Sequence, residues 1–440
     1  MVRHVIVGGG TAGWNAITTL RESDLGNSSI VLVSNESPYS RMVLPYYLSK
    51  EIGESHVFTA SKTRLEDLNI ELKLGKEVKG LDTKNNKIIL ENEEEVDYDN
   101  LLIATGSSPV KPAIPGSDGK NIYSFWTLSQ ARAVTGKIKK NTRVTMIGAG
   151  FISFTILNAL ISRGVDLTIV EVEKRILPRM LDDVGANIVN NWLVSKGIDV
   201  KTDCRVSSID DFENEKIINF DDGTELKTDL VIMATGIKPN IDWLANSDVI
   251  LDDGIPIDHF CRTNIANVYA AGDVAKGVDI VTGERAVHAI EPTAVQHGRI
   301  AGSNMLGKEI QYKGSLLMNI LDVFGLEIAS FGSWSEEGSD KIIKENSVRP
   351  SYRKMVFDHG HMIGAIAIGL GDDIWHTNDI GMLKGLIYTK SDLVEWKEHI
   401  RRNPFDIKRA FLASGSVGKL LPETLVGSPS IPEKSISISS

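Results

Sequence analysis

The chain has 440 residues, of which 42% are hydrophobic and 24% charged, with a formal net charge of −10. At about 100–200 residues per domain this is a globular chain of roughly two to four domains, and its acidic balance argues against a nucleic-acid partner, which needs a basic face. No apolar run reaches the ~18–20 residues of a membrane helix. The two cysteines, Cys204 and Cys261, form no C-x-x-C pair, which excludes a disulfide framework or a cysteine zinc site and fits a reducing, cytoplasmic setting.

The N-terminal MVRHVIVGGG passes directly from an apolar run into a glycine turn, so no signal peptide is expected. The segment His4–Glu36 reads as strand, glycine turn, helix and second strand, with Trp14, Ile17 and Leu20 at helical spacing. Its turn is Gly8-x-Gly10-x-x-Gly13. In such a turn the first glycine permits the bend, the second lets a pyrophosphate approach the backbone, and the third lets helix pack on strand. The helix N-terminus then offers free N–H groups to the phosphates. Glu36, just past the second strand, is the carboxylate expected to hold the adenosine ribose.

The stretch SPYSRMVLPYYLSK, Ser37–Lys50, reads as a loop with an apolar centre. The strand Asn100–Ile103 follows and ends in Ala104-Thr105-Gly106. A second unit then repeats the first. Arg143–Glu173 is again strand, turn, helix and strand, with Gly148-x-Gly150-x-x-Ser153 as the turn and Ile152, Ile156 and Leu160 on one helix face. Glu171 closes its second strand, where a carboxylate accepts a ribose 2′-OH and repels a 2′-phosphate, favouring NADH. Lys174 and Arg175 nearby leave NADPH open. The second Ala-Thr-Gly ends at Gly236. This duplication predicts an α/β fold with two Rossmann-like dinucleotide-binding domains.

Beyond Gly314 the pattern changes to that of a C-terminal α+β domain, and the last stretch, rich in Ser, Pro and Gly, reads as a loose tail. The expected division is 1–115 with 244–314 as one discontinuous domain, 116–243 as the second, 315–414 as the third, and 415–440 as tail.

At TNIANVYAAGDVA, Thr263–Ala275, a strand ends in Ala-Gly-Asp downstream of both glycine turns. The combination resembles the pyridine nucleotide-disulfide oxidoreductase-like family of FAD- and NAD(P)H-dependent flavoproteins, from about residue 2 to about residue 315. The resemblance implies that Gly8, Gly10 and Gly13 bind FAD, with Gly272 and Asp273 at its ribityl chain or phosphate and Ala104, Thr105 and Gly106 on the flavin side. It implies that Gly148, Gly150, Glu171 and Gly236 serve NADH. YSRMVLPYY resembles the family loop over the flavin: Arg41 and Pro45 match, and Met42 stands where cysteine-using members carry their thiol. Thiolate chemistry is therefore not expected. Thr155 replaces a family glutamate. Glu291 opens a helix whose start would face the flavin pyrimidine, and His297 stands where glutamine is common.

The implied activity is hydride transfer from NADH to FAD and onward transfer to an iron–sulfur protein, an iron–sulfur subunit or oxygen. The C-terminal domain implies a homodimer or a subunit of a complex. Two other readings stand beside this one. One is a membrane-surface NADH:quinone oxidoreductase, using the basic stretch Leu393–Ser414 as an amphipathic helix. The other is a non-catalytic flavin or NAD redox sensor.

Overall fold

The apolar runs of the duplicated units become the inner strands of two parallel sheets. The computed structural model describes residues 1–24, 26–213, 215–336, 340–346 and 349–420. In the first sheet the order is Val268–Ala270, Asn100–Ile103, Arg3–Val7, Ser29–Ser34 and Glu71–Leu74. In the second it is Ile122–Ser124, Leu230–Met233, Arg143–Ile147, Asp166–Val170 and Asp199–Lys201. Each central strand thus lies between its own second strand and its own Ala-Thr-Gly strand. Parallel strands covered by helices are buried on both faces, which is why they read as continuous apolar runs rather than alternating ones. Each unit also carries a three-stranded antiparallel sheet: Val78–Asp82, Lys87–Leu90 and Glu95–Asp97 in the first, Val206–Phe212, Glu215–Phe220 and Glu225–Thr228 in the second.

The stretch Ser37–Lys50 departs from the expected loop. Arg41–Val43 is a 3-10 turn that runs into a helix, Leu44–Ser49, with Pro45 in its first turn. Proline is tolerated there because the first helical N–H groups have no partner in any case. The excursion also leaves the first unit. Tyr39, Leu44, Leu48 and Val57 are buried in one cluster with Leu128, Ala131, Phe154 and Leu157 of the second unit. Arg163 ties the two together, its Nη1 donating to the Leu48 carbonyl and its Nη2 to that of Ile138, each at 2.9 Å. Residues 39–57 therefore pack with the second nucleotide unit, although the division at 115 puts them in the first.

The C-terminal sheet is antiparallel, in the order Met318–Val323, Leu326–Gly332, His361–Leu370, Ser351–Asp358, Asp340–Asn346. One face joins the core of the second unit through Leu321, Ile328, Tyr352 and Ile368. The other, with Phe331, Met355 and Phe357, is covered by helices Ile374–Tyr388, Lys397–Arg402 and Lys408–Ala413. The basic stretch is thus two six-residue helices rather than one amphipathic helix, and Ile400, Ile407 and Ala410 are buried in the domain's own core. That removes the apolar face on which the membrane-surface reading depended. No helix among the described residues is long and apolar enough to cross a membrane. Of the tail expected from residue 415, residues 421–440 lie outside the described residues. Ser416–Lys419 forms a helical turn, with Ser416 buried and 2.7 Å from the Ser391 hydroxyl.

Asp182 joins the C-terminal sheet to the second unit. It caps helix Asp183–Ser195 by accepting from Gly185 N at 3.0 Å, and it also accepts from Tyr352 Oη at 2.8 Å and Lys354 Nζ at 2.9 Å. Burial raises its pKa, but these donors outweigh burial and hold it below the ordinary carboxylate value. A depressed carboxylate stabilises the fold above its unfolded value of about 3.9 and loses that contribution as pH falls through the folded value. Asp182→Asn is expected to cost about 2–4 kcal/mol at pH 7. In thermal unfolding the gap to the unsubstituted protein should narrow from pH 7 to pH 3; a gap that is constant with pH would remove Asp182 from this role.

Candidate functional site

The two glycine turns are built alike. Gly8 has φ +107°, and a Cβ there would lie 2.1 Å from the Ala104 carbonyl oxygen. Gly148 has φ +103°, and a Cβ would lie 2.4 Å from the Ala234 oxygen. In each unit the glycine is therefore dictated by the Ala-Thr-Gly segment of the neighbouring strand. Gly10 and Gly150 have no atom within 4 Å of such a Cβ. They face open space at the helix start, where a phosphate would approach. A Cβ on Gly13 would meet the Gly8 oxygen at 2.0 Å, so helix Thr11–Asp24 packs directly on the turn. At the corresponding place in the second turn Ser153 is fully buried, and its hydroxyl donates to the Gly148 carbonyl.

The stretches that follow the two Ala-Thr-Gly segments pair with each other, so that each triplet meets the far end of the other's stretch. Thr105 Oγ1 donates to the Asn240 carbonyl at 2.9 Å, and Asn240 Nδ2 donates to the Thr105 carbonyl at 2.8 Å. Asn240 N reaches the Gly106 carbonyl at 2.9 Å, and Ser107–Pro109 pairs antiparallel with Ile237–Pro239.

Around this pairing four segments share one polar network. Glu36, Arg41 and Asp273, expected at the site, are all in it. Glu36 accepts from Tyr39 Oη at 2.9 Å and from Arg41 Nη2 at 3.2 Å. Its carboxylate is thus held by its own loop. Arg41 lies 5.2 Å from the Trp126 ring centre, with Nη1 3.4 Å from the Ser107 carbonyl. Trp126 Nε1 donates to that same carbonyl at 2.7 Å, and Ser107 Oγ donates to Asp273 at 2.7 Å. Burial raises the Asp273 pKa, against the opposing pull of Ser107 and Arg41. Tyr39, which also accepts from Leu128 N at 3.0 Å, is pushed up to about 12, first by burial. Ser107, Tyr39 and Trp126 were not among the expected site residues. Ser107 directly follows the Ala-Thr-Gly triplet and Tyr39 stands two residues before Arg41, so both had a local signal; Trp126 had none.

Met42 and Tyr46 lie one helical turn apart and are 50% and 52% exposed, so neither fills a core. Both cysteines are elsewhere: Cys261 is fully buried, which raises its thiol pKa, and Cys204 Sγ bonds the Thr202 carbonyl at 3.3 Å. Glu171 stands at the second turn, 6% exposed, and accepts from Ala149 N at 2.6 Å and Glu173 N at 2.9 Å. It braces the turn itself. Thr155 donates to the Ile152 carbonyl within its own helix. Gly236 and Gly106 adopt positive φ with open space beyond.

Glu291 and Pro292 open helix Glu291–Met305. A Cβ on Gly298 would meet the Ala12 oxygen at 2.2 Å, so this helix lies against the first one, and Gly272 sits beneath its Ala294. Its first turn is thereby set beside Asp273. Burial raises the Glu291 pKa. His297 is buried edge-on to Tyr312, centroids 4.6 Å apart, and burial lowers its pKa to about 3.

Two parallel sheets, each with a glycine turn at the start of its first helix, joined by the paired stretches that follow the two Ala-Thr-Gly segments and backed by a third sheet, are the architecture of a two-dinucleotide flavin and nicotinamide oxidoreductase. The chain belongs to the pyridine nucleotide-disulphide oxidoreductase family, whose profile matches residues 2–298, and that of the rubredoxin NAD+ reductase C-terminal domain matches residues 318–380. It is 31% identical to an NADH oxidase of Methanocaldococcus jannaschii, over 75% of this chain and 76% of that one. It is 28% identical to the NADH-dependent phenylglyoxylate dehydrogenase subunit epsilon of Aromatoleum evansii, over 93% and 97%. Among solved structures it resembles a NAD-dependent persulfide reductase from A. fulgidus, with TM-score 0.81 and 26% identity over 88% of this chain and 77% of that one. The protein is an FAD-dependent NAD(P)H oxidoreductase, with FAD and NADH as cofactors.

The glycine geometry separates fold from ligand. Gly8→Ala is expected to destabilise the protein by about 3 kcal/mol or more, because it meets backbone at a positive φ. Gly10→Ala should leave the melting temperature of the flavin-free protein within about 2 °C while weakening FAD retention at least tenfold. Equal melting losses in the two variants would contradict this division.

Proposed function

We propose that this oxidoreductase takes electrons from NADH and delivers them to a protein-borne iron–sulfur acceptor without a redox-active cysteine. The observation that carries this reading is the side chain at residue 42: a thioether, half exposed on the 3-10 turn that leads into helix Leu44–Ser49, with both thiols of the chain elsewhere. A thioether is not a thiolate nucleophile. In this reading the first unit, 1–115 with 244–314, takes FAD, and the second, 116–243, takes NADH.

The chemistry supplied by bound FAD is acceptance of a hydride from NADH and release of the two electrons to a second acceptor. The chain's own groups bind and orient. The N–H groups at Gly8, Gly10 and Gly13 take the pyrophosphate. Asp273, held by Ser107, accepts from the ribityl hydroxyls. Glu36 and Trp126 fix Arg41 at the mouth of the site, beside Pro45 and the exposed Met42 and Tyr46. Thr105 and Gly106 form the wall where the two units meet. The start of helix Glu291–Met305 favours negative charge nearby. Gly148, Gly150 and Gly236 take NADH, and Glu171 braces that turn while its negative charge disfavours a 2′-phosphate. A subunit of a larger complex is favoured as the setting, because the relative aligned along nearly its whole length is itself named as a subunit.

Anaerobic titration of the FAD-loaded protein with NADH should bleach the flavin absorbance, with no long-wavelength band of a thiolate–flavin pair. Appearance of that band, or loss of turnover on thiol alkylation, would sink the thiol-free reading. Glu171→Gln is expected to raise KM for NADH about tenfold or more with kcat nearly kept, since the loss falls on binding. An unchanged KM would take Glu171 out of the nucleotide site.

A further inference from the structure

The outer face of the C-terminal domain contains a cavity of about 240 Å³, well away from the glycine turns. It lies between strand Ser351–Asp358, the end of strand His361–Leu370, the start of helix Ile374–Tyr388, and Phe405. Its floor is Arg353, which is 1% exposed. A guanidinium has five N–H donors. Here Nη1 reaches the Tyr352 carbonyl and Nη2 reaches Asp379, both at 3.3 Å, and Nε has no partner among the described residues. His376, on the same wall, has Nε2 3.9 Å from the Glu327 carboxylate and makes no closer hydrogen bond among the described residues.

A buried guanidinium on one long ion pair, with donors unfilled, is costly unless an acceptor completes it. Two further cations stand at the rim. Arg349 is 51% exposed and only loosely paired, at 3.5 Å to Asp372 and 3.7 Å to Asp373. Lys408 Nζ lies 5.9 Å from the Trp375 ring centre. The walls are aromatic: Trp375 is 64% exposed and Phe405 38% exposed, and Arg353 lies 5.4 Å from the Phe405 ring centre. Asp373 is occupied as the helix cap, accepting from Trp375 N at 3.1 Å. Oxygen acceptors are therefore wanted at the floor and a flat apolar surface is wanted at the walls. The buried arginine is the costly element, and the exposed tryptophan beside it offers a flat apolar wall.

We propose that this cavity binds a small aromatic carboxylate, its oxygens on Arg353 and Arg349 and its ring between Trp375 and Phe405. The bidentate fork of arginine suits a carboxylate, and the aromatic walls select the body that carries it.

The test uses the FAD-loaded protein and benzoate, followed by calorimetric titration. Benzoate should bind saturably, one per chain. Acetate, which lacks the ring, and benzyl alcohol, which lacks the charge, should each bind at least tenfold more weakly. Arg349→Ala and Trp375→Ala should each weaken benzoate about tenfold. Both side chains are more than half exposed, so the melting temperature without benzoate and the bleaching of the flavin by NADH should be unchanged. The assignment is overturned if benzoate gives no saturable heat or binds both variants undiminished. It is equally overturned if NADH competes for the same binding, which would place benzoate in the nicotinamide cleft.

Discussion

The reciprocal hydrogen bonds between Thr105 and Asn240 fix the geometry on which the site depends. Each nucleotide unit is a complete sheet with its own core, and nothing within either sheet determines how far its turn stands from the other. That distance is set where the stretches that follow the two Ala-Thr-Gly segments pair as a two-stranded ribbon. The same segments supply the carbonyls of Ala104 and Ala234 that force glycine at the first position of each turn. The pairing therefore shapes both turns and spaces them in a single construction. Hydride transfer tolerates little error in distance, so two rigid units joined by paired backbone are better suited to it than units joined by a free linker.

The second constraint is electrostatic. Asp273 is half-buried beside apolar strands, where an isolated carboxylate would be costly. It is tolerated because Ser107 donates to it and Arg41 stands near. Arg41 is in turn held by Glu36 and by Trp126, which follows the edge strand Ile122–Ser124 of the second sheet. The packing of Leu44 and Leu48 into the second unit's core has the same effect from the apolar side. Residues 39–57 are thus a strap from one unit to the other, and Arg41 is carried on it.

The duplication, both glycine turns and both Ala-Thr-Gly segments were legible because each is local: a strand, a turn and a helix within a few residues. What was not legible depends on contacts between distant segments. Pro45 reads as a loop residue until the helix that it starts is known, and that helix forms because Leu44 and Leu48 find apolar partners more than eighty residues further on. Glu171 is legible as the residue directly after its strand, but its use in bracing Ala149 depends on tertiary structure. Trp126 carries no motif and enters the site only through tertiary structure. The basic stretch near the C-terminus misled for the opposite reason: its spacing resembles one amphipathic helix, but Asn403 and Pro404 break it and Ile400 and Ile407 turn inward.

Strand Ser351–Asp358 has a consequence for what sequence change the domain can absorb. Tyr352 and Lys354 face the second nucleotide unit and grip Asp182, while Arg353 between them faces the helical layer and Asp379. Side chains on a strand alternate with a period of two, so loss or gain of one residue ahead of Tyr352 would exchange the faces. The guanidinium would be driven into the apolar seam between domains, and the tyrosine and lysine would be turned away from the helix cap. A substitution at one of these residues removes one contact, whereas a slip of register along the strand would remove all three at once.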